Sequence, residues 1–397
     1  MLAVRKPHAD LDCRLDLADE RVDHAVVARL DLLGLRFGTG SCRLTRETAI
    51  MAPVLFETIA ELPIAPGEMG NVYAEGWQSW SPAGAYPIRE TGPRAPDELR
   101  QTMGWRPGMP APECVTQAEG ILAVALPGEP VRAWFPGEPE REVPTLRLEV
   151  RGRRAVVSAD GPLDVLTADT LADALAAVGE RLRAGDVAPI GDGWCSWSYY
   201  FSGVAEADVV ENLEAAVRLQ LPLEFVQIDD GYETCVGDWL DIAPRFGSLQ
   251  RVAARIAAAG KRPGIWTAPF LVGEHSALAR EHPDWLTARD AGWNWNQRLR
   301  VLDVTQHDAA EHLQRVFSTL RAWGFEYYKL DFLYAGAIEG IDVYRHGLEL
   351  IRAAVGADAV LVGCGAPLLP SIGLVDAMRI GPDVLPSHHM RRSTSGT

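Results

Sequence analysis

The chain has 397 residues, 47% of them apolar and 23% charged, with a formal charge of −16 from 38 Lys and Arg against 54 Asp and Glu. That length allows two or three domains of roughly 100–200 residues each, with a sizeable buried core. The acidic balance argues against nucleic acid or an anionic membrane as partner, since both are held by phosphate neutralisation, and no run approaches the roughly 18 uninterrupted apolar residues of a spanning helix.

Residues 1–12 alternate charge with short apolar pieces and offer no apolar core for a secretory signal, so a cytoplasmic location is expected. Up to about residue 185 the pattern is that of strands, with apolar runs at 120–126, 131–135 and 145–151. Turn clusters such as Pro127-Gly128-Glu129-Pro130 and Pro136-Gly137-Glu138-Pro139 separate them, which favours a β-sandwich. Residues 168–184 then predict a connecting helix with Leu171, Leu175, Val178 and Leu182 on one face. A first domain over 1–185 follows.

Beyond it strands and helices alternate. Strand cores are predicted at 192–197, 223–228, 263–268, 325–330, 359–364 and 376–380. One intervening helix carries Val209, Val210, Leu213, Ala216 and Val217; another carries Leu313, Val316, Phe317 and Leu320 behind a Thr305…Asp308 capping box. Recurrent β–α units imply a parallel sheet, either open and doubly wound or closed into an eight-stranded barrel. Polar residues at several different strand ends favour the barrel, since an open sheet concentrates its ligand at one switch point. Six units fit before residue 384, so the barrel is expected to be incomplete over 186–383, followed by a patternless polar tail at 384–397.

Asp229 and Asp230 follow the apolar run Phe225-Val226-Gln227-Ile228 and precede Gly231. A carboxylate pair at a strand end suits vicinal hydroxyls better than a metal here, because no third carboxylate or histidine is evident at ligand spacing, and a merely structural pair stays open as the plainer alternative. Lys329 and Asp331 share one face of another strand end, and a lysine beside an aspartate favours the ionised carboxylate of a nucleophile. Arg379 and Asp383 close the final strand. If Asp331 and Asp383 face one barrel mouth, they are the minimum machinery of a glycosidase, one carboxylate ionised and one protonated. A structural ion pair at Lys329 and Asp331 stays open as the plainer alternative.

The six cysteines stand at least 29 positions apart, which excludes C-x-x-C chemistry and leaves reduced thiols. Nucleotide-binding, metalloprotease and serine-hydrolase motifs are absent, and the G-x-G of Gly363 and Gly365 indicates tight backbone geometry. The clusters Trp77/Trp80, Trp194/Trp197 and Trp293/Trp295 suit sugar faces as well as protein cores.

The ordered series Gly193-Trp-Cys-Ser-Trp197, Phe225-Val-Gln-Ile-Asp-Asp-Gly-Tyr232, Gly237-Asp-Trp239, Pro263-Gly-Ile-Trp-Thr-Ala-Pro-Phe270, His282-Pro-Asp-Trp285, Tyr328-Lys-Leu-Asp-Phe332, Gly363-Cys-Gly-Ala-Pro-Leu-Leu-Pro370 and Met378-Arg-Ile-Gly-Pro-Asp383 resembles α-galactosidases of the melibiase type, glycoside hydrolase family thirty-six. Gly76-Trp-Gln-Ser-Trp80 resembles a loop of that family's N-terminal β-domain.

The resemblance implies an α/β plus β architecture, an N-terminal β-sandwich followed by a (β/α)8 TIM-type barrel, and a retaining exo-acting enzyme without cofactor or metal. It makes Asp331 the nucleophile and Asp383 the general acid/base. Asp229, Asp230 and Lys329 would bind galactose hydroxyls, Arg379 would sit near the ring, and Trp80, Trp194 and Trp266 would line the pocket. The expected partner is an α-galactoside oligosaccharide. Galactosyl transfer and an α-N-acetylgalactosaminide substrate are alternatives, because pocket details outside the carboxylates decide acceptor and substrate; a non-catalytic sugar-binding remnant is another, because nothing after Asp383 resembles the family.

Overall fold

The computed structural model describes residues 54–65, 67, 69–185, 189–381 and 383. Expectations for the first 53 residues, Cys13 and Cys42 among them, and for the tail 384–397 lie outside the described residues.

Nine short strands form two antiparallel sheets: β1 (Glu57–Pro63), β2 (Asn71–Ala74), β3 (Gly84–Pro87), β4 (Thr116–Glu119), β5 (Leu122–Ala125), β6 (Val131–Phe135), β7 (Thr145–Arg151), β8 (Arg154–Ala159) and β9 (Asp164–Ala168). Their orders are β1-β8-β7-β4 and β3-β2-β5-β6-β9, and helix α1 (Glu98–Gly104) interrupts the series after β3. The sheets share a core in which Val72, Val124, Leu146, Leu148 and Val157 are buried. Strand β6 buries both faces: Trp134 enters that core, while Val131, Ala133 and Phe135 join the larger cluster that also holds the parallel strands. Alternation in a strand makes this double docking possible.

Helix α2 (Leu171–Leu182) connects to the second half. Thr170 caps it by accepting from the Asp173 N–H, and Ala174 and Val178 are buried on its inner face. Six parallel strands follow: β10 (Gly193–Cys195), β11 (Phe225–Ile228), β12 (Arg262–Thr267), β16 (Tyr327–Leu330), β17 (Val360–Cys364) and β18 (Ala377–Arg379), hydrogen-bonded in that order. Their crossovers carry α3 (Trp197–Tyr200), α4 (Glu206–Arg218), α5 (Leu249–Ala258), α6 (Ala277–Glu281), α7 (His307–Ala322) and α8 (Ile341–Val355). Such a parallel sheet, with α-helices in four of its five crossovers and only the short 3-10 turn Leu369–Ser371 between β17 and β18, fits an incomplete TIM barrel. All six predicted strand cores are found. Among the described residues no helix is long and apolar enough to cross a membrane.

Between β12 and α7 the chain makes an excursion that the sequence reading did not anticipate. Strands β13 (Leu271–Gly273), β14 (Leu286–Asn294) and β15 (Gln297–Leu302) form an antiparallel sheet in the order β13-β15-β14. Its hairpin turns on Trp295 and Asn296, both at positive φ (48° and 55°), where a Gly-containing turn would have been the signal. The capping box expected at α7 is also corrected. Gln306 is the N-cap and makes no side-chain cap bond, while Thr305 donates its hydroxyl to Asp303 at 2.5 Å in the preceding turn.

Candidate active site

Register decides which side chains meet. In the parallel sheet Cys195 pairs with Gln227, Trp266 with Lys329, and Cys364 with Arg379, so the strands end together. Alternation along β11 and β16 turns Gln227, Asp229, Lys329 and Asp331 to one side, into a cavity of about 820 Å³. Seven described aromatic or charged residues foreseen from the sequence line it: Trp80, Asp229, Asp230, Trp266, Lys329, Asp331 and Arg379, with Asp383 at its edge.

Lys329 sits between two carboxylates. Its Nζ lies 3.0 Å from Asp229 Oδ2 and 3.5 Å from Asp331 Oδ2. Burial disfavours the ammonium, but Asp331 and Asp229 outweigh it and raise its pKa. For Asp331 burial likewise opposes ionisation, yet Lys329, the Cys364 thiol and the Trp266 N–H together hold its carboxyl below the usual range. Trp266 Nε1 donates to Asp331 Oδ2 at 2.9 Å, and the Phe332 N–H donates to Oδ1 at 2.9 Å. Asp331 is therefore a buried, ionised and fixed carboxylate.

Asp229 differs. Burial raises its pKa against the opposing pull of Lys329. Its Oδ2 accepts from Gln227 Nε2 at 2.5 Å and from the Cys195 thiol at 3.3 Å, which remains a donor because burial and Asp229 push its pKa up to about 12. Asp230 accepts from Trp295 Nε1 at 2.9 Å. The turn presenting it requires Gly231, at φ 114°, where a Cβ would meet the Ser202 carbonyl oxygen at 2.4 Å. A third carboxyl does stand here, contrary to the sequence reading: Glu233, whose pKa burial first and Asp230 second raise well above its ordinary value. Its chain doubles back through an isolated bridge to Ile242, which spacing alone does not reveal.

The last strand supplies Arg379 and Asp383, which form an ion pair, and Trp197 Nε1 donates to Asp383 Oδ2 at 2.9 Å. The Asp383 side chain keeps 39% of its surface exposed, open to exchange with water.

Trp80 arrives from the antiparallel sheets. Its loop is clamped to the barrel end by Ser79 N–H donating to Ala366 at 2.9 Å, Gly381 N–H donating to Ser79 at 3.1 Å, and a bridge between Gln78 and Pro367. Trp80 Nε1 donates to Cys364 Sγ at 3.3 Å, and its ring lies edge-on to Phe332 at 5.1 Å. Gly365, at φ 58°, leaves the room: a Cβ there would touch the indole at 3.1 Å.

Trp194 is not brought to the cavity. Its neighbour Cys195 faces Asp229, so alternation turns Trp194 to the other side of the sheet, where its ring meets Tyr200 at 6.2 Å. Trp197 and Trp295 line the cavity instead. The paired tryptophans in the sequence were the only signal for them, and it did not say which member of each pair would enter.

The Melibiase family matches residues 205–341. Alpha-galactosidase AgaA of Geobacillus stearothermophilus is 25% identical over 136 residues, which is 32% of this chain and 18% of that protein. The bifunctional alpha-galactosidase/sucrose kinase AgaSK of Mediterraneibacter gnavus is 32% identical over 100 residues, 23% of this chain and 10% of its own. The matched stretches thus span less than a fifth of either curated relative. Among solved structures, TtGalA, an alpha-galactosidase from Thermus thermophilus, superposes with a TM-score of 0.70 at 28% identity, covering 83% of this chain and 72% of that one. The GH36 alpha-galactosidase AgaA from Geobacillus stearothermophilus shares the fold, with a TM-score of 0.59 at 15% identity, covering 81% and 51%. Motif order, cavity and these likenesses agree: the chain is similar to α-galactosidases of the melibiase type, glycoside hydrolase family thirty-six.

Proposed function

We propose that the protein is a retaining, exo-acting α-galactosidase that removes terminal α-linked galactose from oligosaccharides. The observation that carries this reading is the state of Asp331, ionised beside Lys329 and oriented by Trp266 and the Phe332 N–H. A carboxylate so held is a nucleophile aimed before substrate arrives. Asp331 attacks the anomeric carbon and forms a galactosyl ester as the glycosidic bond breaks, while Asp383 donates its proton to the departing oxygen. Asp383, now a carboxylate, takes a proton from water, which attacks the same carbon and frees Asp331. Asp229, Asp230 and Lys329 hold the galactose hydroxyls, Arg379 lies near the ring, and Trp80 and Trp266 wall the pocket. Trp194 acts only from behind the sheet. We also read the two antiparallel sheets as an N-terminal β-sandwich that ends near residue 185.

Support for the substrate comes from TtGalA, solved with p-nitrophenyl alpha-D-galactopyranoside and with stachyose. The test is hydrolysis of an aryl α-galactoside by the chain, followed by Asp331→Ala with azide. Loss of activity with recovery as the β-azide is expected; an α-azide product, or full activity in Asp331→Ala, overturns the retaining mechanism through Asp331.

A further inference from the structure

Asp230 is backed by a second acid. Asp230 lines the cavity and is 5% exposed, whereas Glu233, 7% exposed, does not line it and meets the Asp230 carboxyl in a hydrogen bond. A hydrogen bond between two carboxyl groups needs a proton on one of them, since two carboxylates offer acceptors alone. Two buried negative charges in contact also repel, and among the described residues neither carboxyl forms an ion pair that would offset this. The pair therefore holds one proton.

The surroundings place that proton. Asp230 opens on the cavity and already accepts from Trp295 Nε1 at 2.9 Å. Glu233 accepts the Gly231 N–H at 3.2 Å, but it has no opening to the cavity, and burial first and Asp230 second push its pKa well above the usual range. Glu233 keeps the proton, and its O–H is the donor.

The segment that carries Glu233 is tied down on both sides. The Ala243 N–H donates to the Tyr232 carbonyl at 2.7 Å and the Thr234 N–H to the Asp241 carbonyl at 2.9 Å. Arg245 spends its guanidinium on the Ser202 carbonyl at 2.7 Å and on the Gly231 carbonyl, so it serves the backbone of this turn. The other ionisable neighbours, Tyr232 and Cys235, are raised chiefly by burial and stay protonated.

We propose that Glu233 is a positioning residue for Asp230: its carboxylic O–H donates to the Asp230 carboxylate, so that an acid and an indole together fix Asp230 with its remaining lone pairs toward the cavity. The proposal rests on the galactoside reading above for the ligand, and it gives the hydroxyl-binding role of Asp230 a support outside the cavity.

Two variants of the full chain test it. Glu233→Gln keeps a donor that cannot ionise; Glu233→Met has similar length and no donor. In calorimetric titration with galactose near neutral pH, Glu233→Gln should bind within about threefold of the unsubstituted chain, and Glu233→Met at least about tenfold more weakly. A Gln variant as weak as the Met variant overturns the positioning role. Melting reads the proton without any sugar. The unfolded chain releases the Glu233 proton in the ordinary carboxyl range while the folded chain keeps it, so the acid loses stability as pH rises from there toward its raised value, and the amide does not. The Tm of Glu233→Gln relative to the unsubstituted chain should therefore climb with pH. A difference that stays constant with pH overturns the proton on Glu233. No galactose binding by the unsubstituted chain, with the climbing difference present, overturns the galactoside reading and upholds the shared proton.

Discussion

Three aspartates of the cavity, Asp230, Asp331 and Asp383, each accept from an indole N–H. An indole neither gains nor loses a proton in the working range, so the charge balance among the buried carboxylates falls to Lys329. Lys329→Met should lower kcat/KM by at least about 100-fold and move the acid limb of its pH profile upward, because Asp331 loses its principal cation. An unmoved limb in a pH–rate series would show that Lys329 does not set the charge of Asp331. Stability follows with opposite signs at the two partners. Asp331 has a depressed pKa, so its contribution is present at neutral pH and is lost as pH falls through that lowered value. Asp229 has a raised pKa, so protonating it on mild acidification stabilises the fold. At this scale the sequence was most legible where the chemistry sat on regular strands: alternation alone placed Lys329 and Asp331 on one face. It failed at Trp194, where the same alternation needed a reference point, the inward Cys195, that only the neighbouring strand supplies.

The β14–β15 hairpin shows what an element can hold against its own preference. Trp295, at φ 48°, occupies a backbone region that costs a bulky residue of the order of 1–3 kcal/mol, and Phe332, at φ 51°, does the same 5.1 Å away. The strain puts the Trp295 N–H on Asp230 and both rings on the cavity. Trp295→Gly should therefore reduce kcat/KM at least tenfold, chiefly through KM, while the melting temperature stays within about 2 °C, because relief of backbone strain offsets the lost packing. A collapse in melting temperature with unchanged KM would make Trp295 a packing residue only. The hairpin escaped the sequence reading because its turn lacks glycine and residues 286–294 mix polar and apolar side chains on both faces, without alternation. The helices α4 and α7 were legible because their buried residues, Val209, Leu213 and Ala216 in one and Leu313, Val316, Phe317 and Leu320 in the other, keep the 3.6-residue period.

Across the whole molecule, the antiparallel sheets and the parallel strands build one cavity together, and Arg106 braces the antiparallel side. It lies 3.3 Å from Glu119, whose pKa burial raises against the pull of Arg106, and its guanidinium stands 5.2 Å over the Trp77 ring. Arg106→Met should cost about 3–5 kcal/mol in denaturant unfolding by stranding Glu119, and Arg106→Met with Glu119→Gln should recover part of it. A loss below about 1 kcal/mol would mean that the pair is not part of the frame. The contact from Trp80 to Cys364 joins residues 284 positions apart. Contacts so distant close late, since the entropy of closing the intervening chain must be met before they return anything. On dilution from denaturant, the helical signal of α4, α5, α7 and α8 should return first, and sugar binding last. The cavity is thus a product of the final stage of folding, and a chain with most of its helix and strand in place still lacks it.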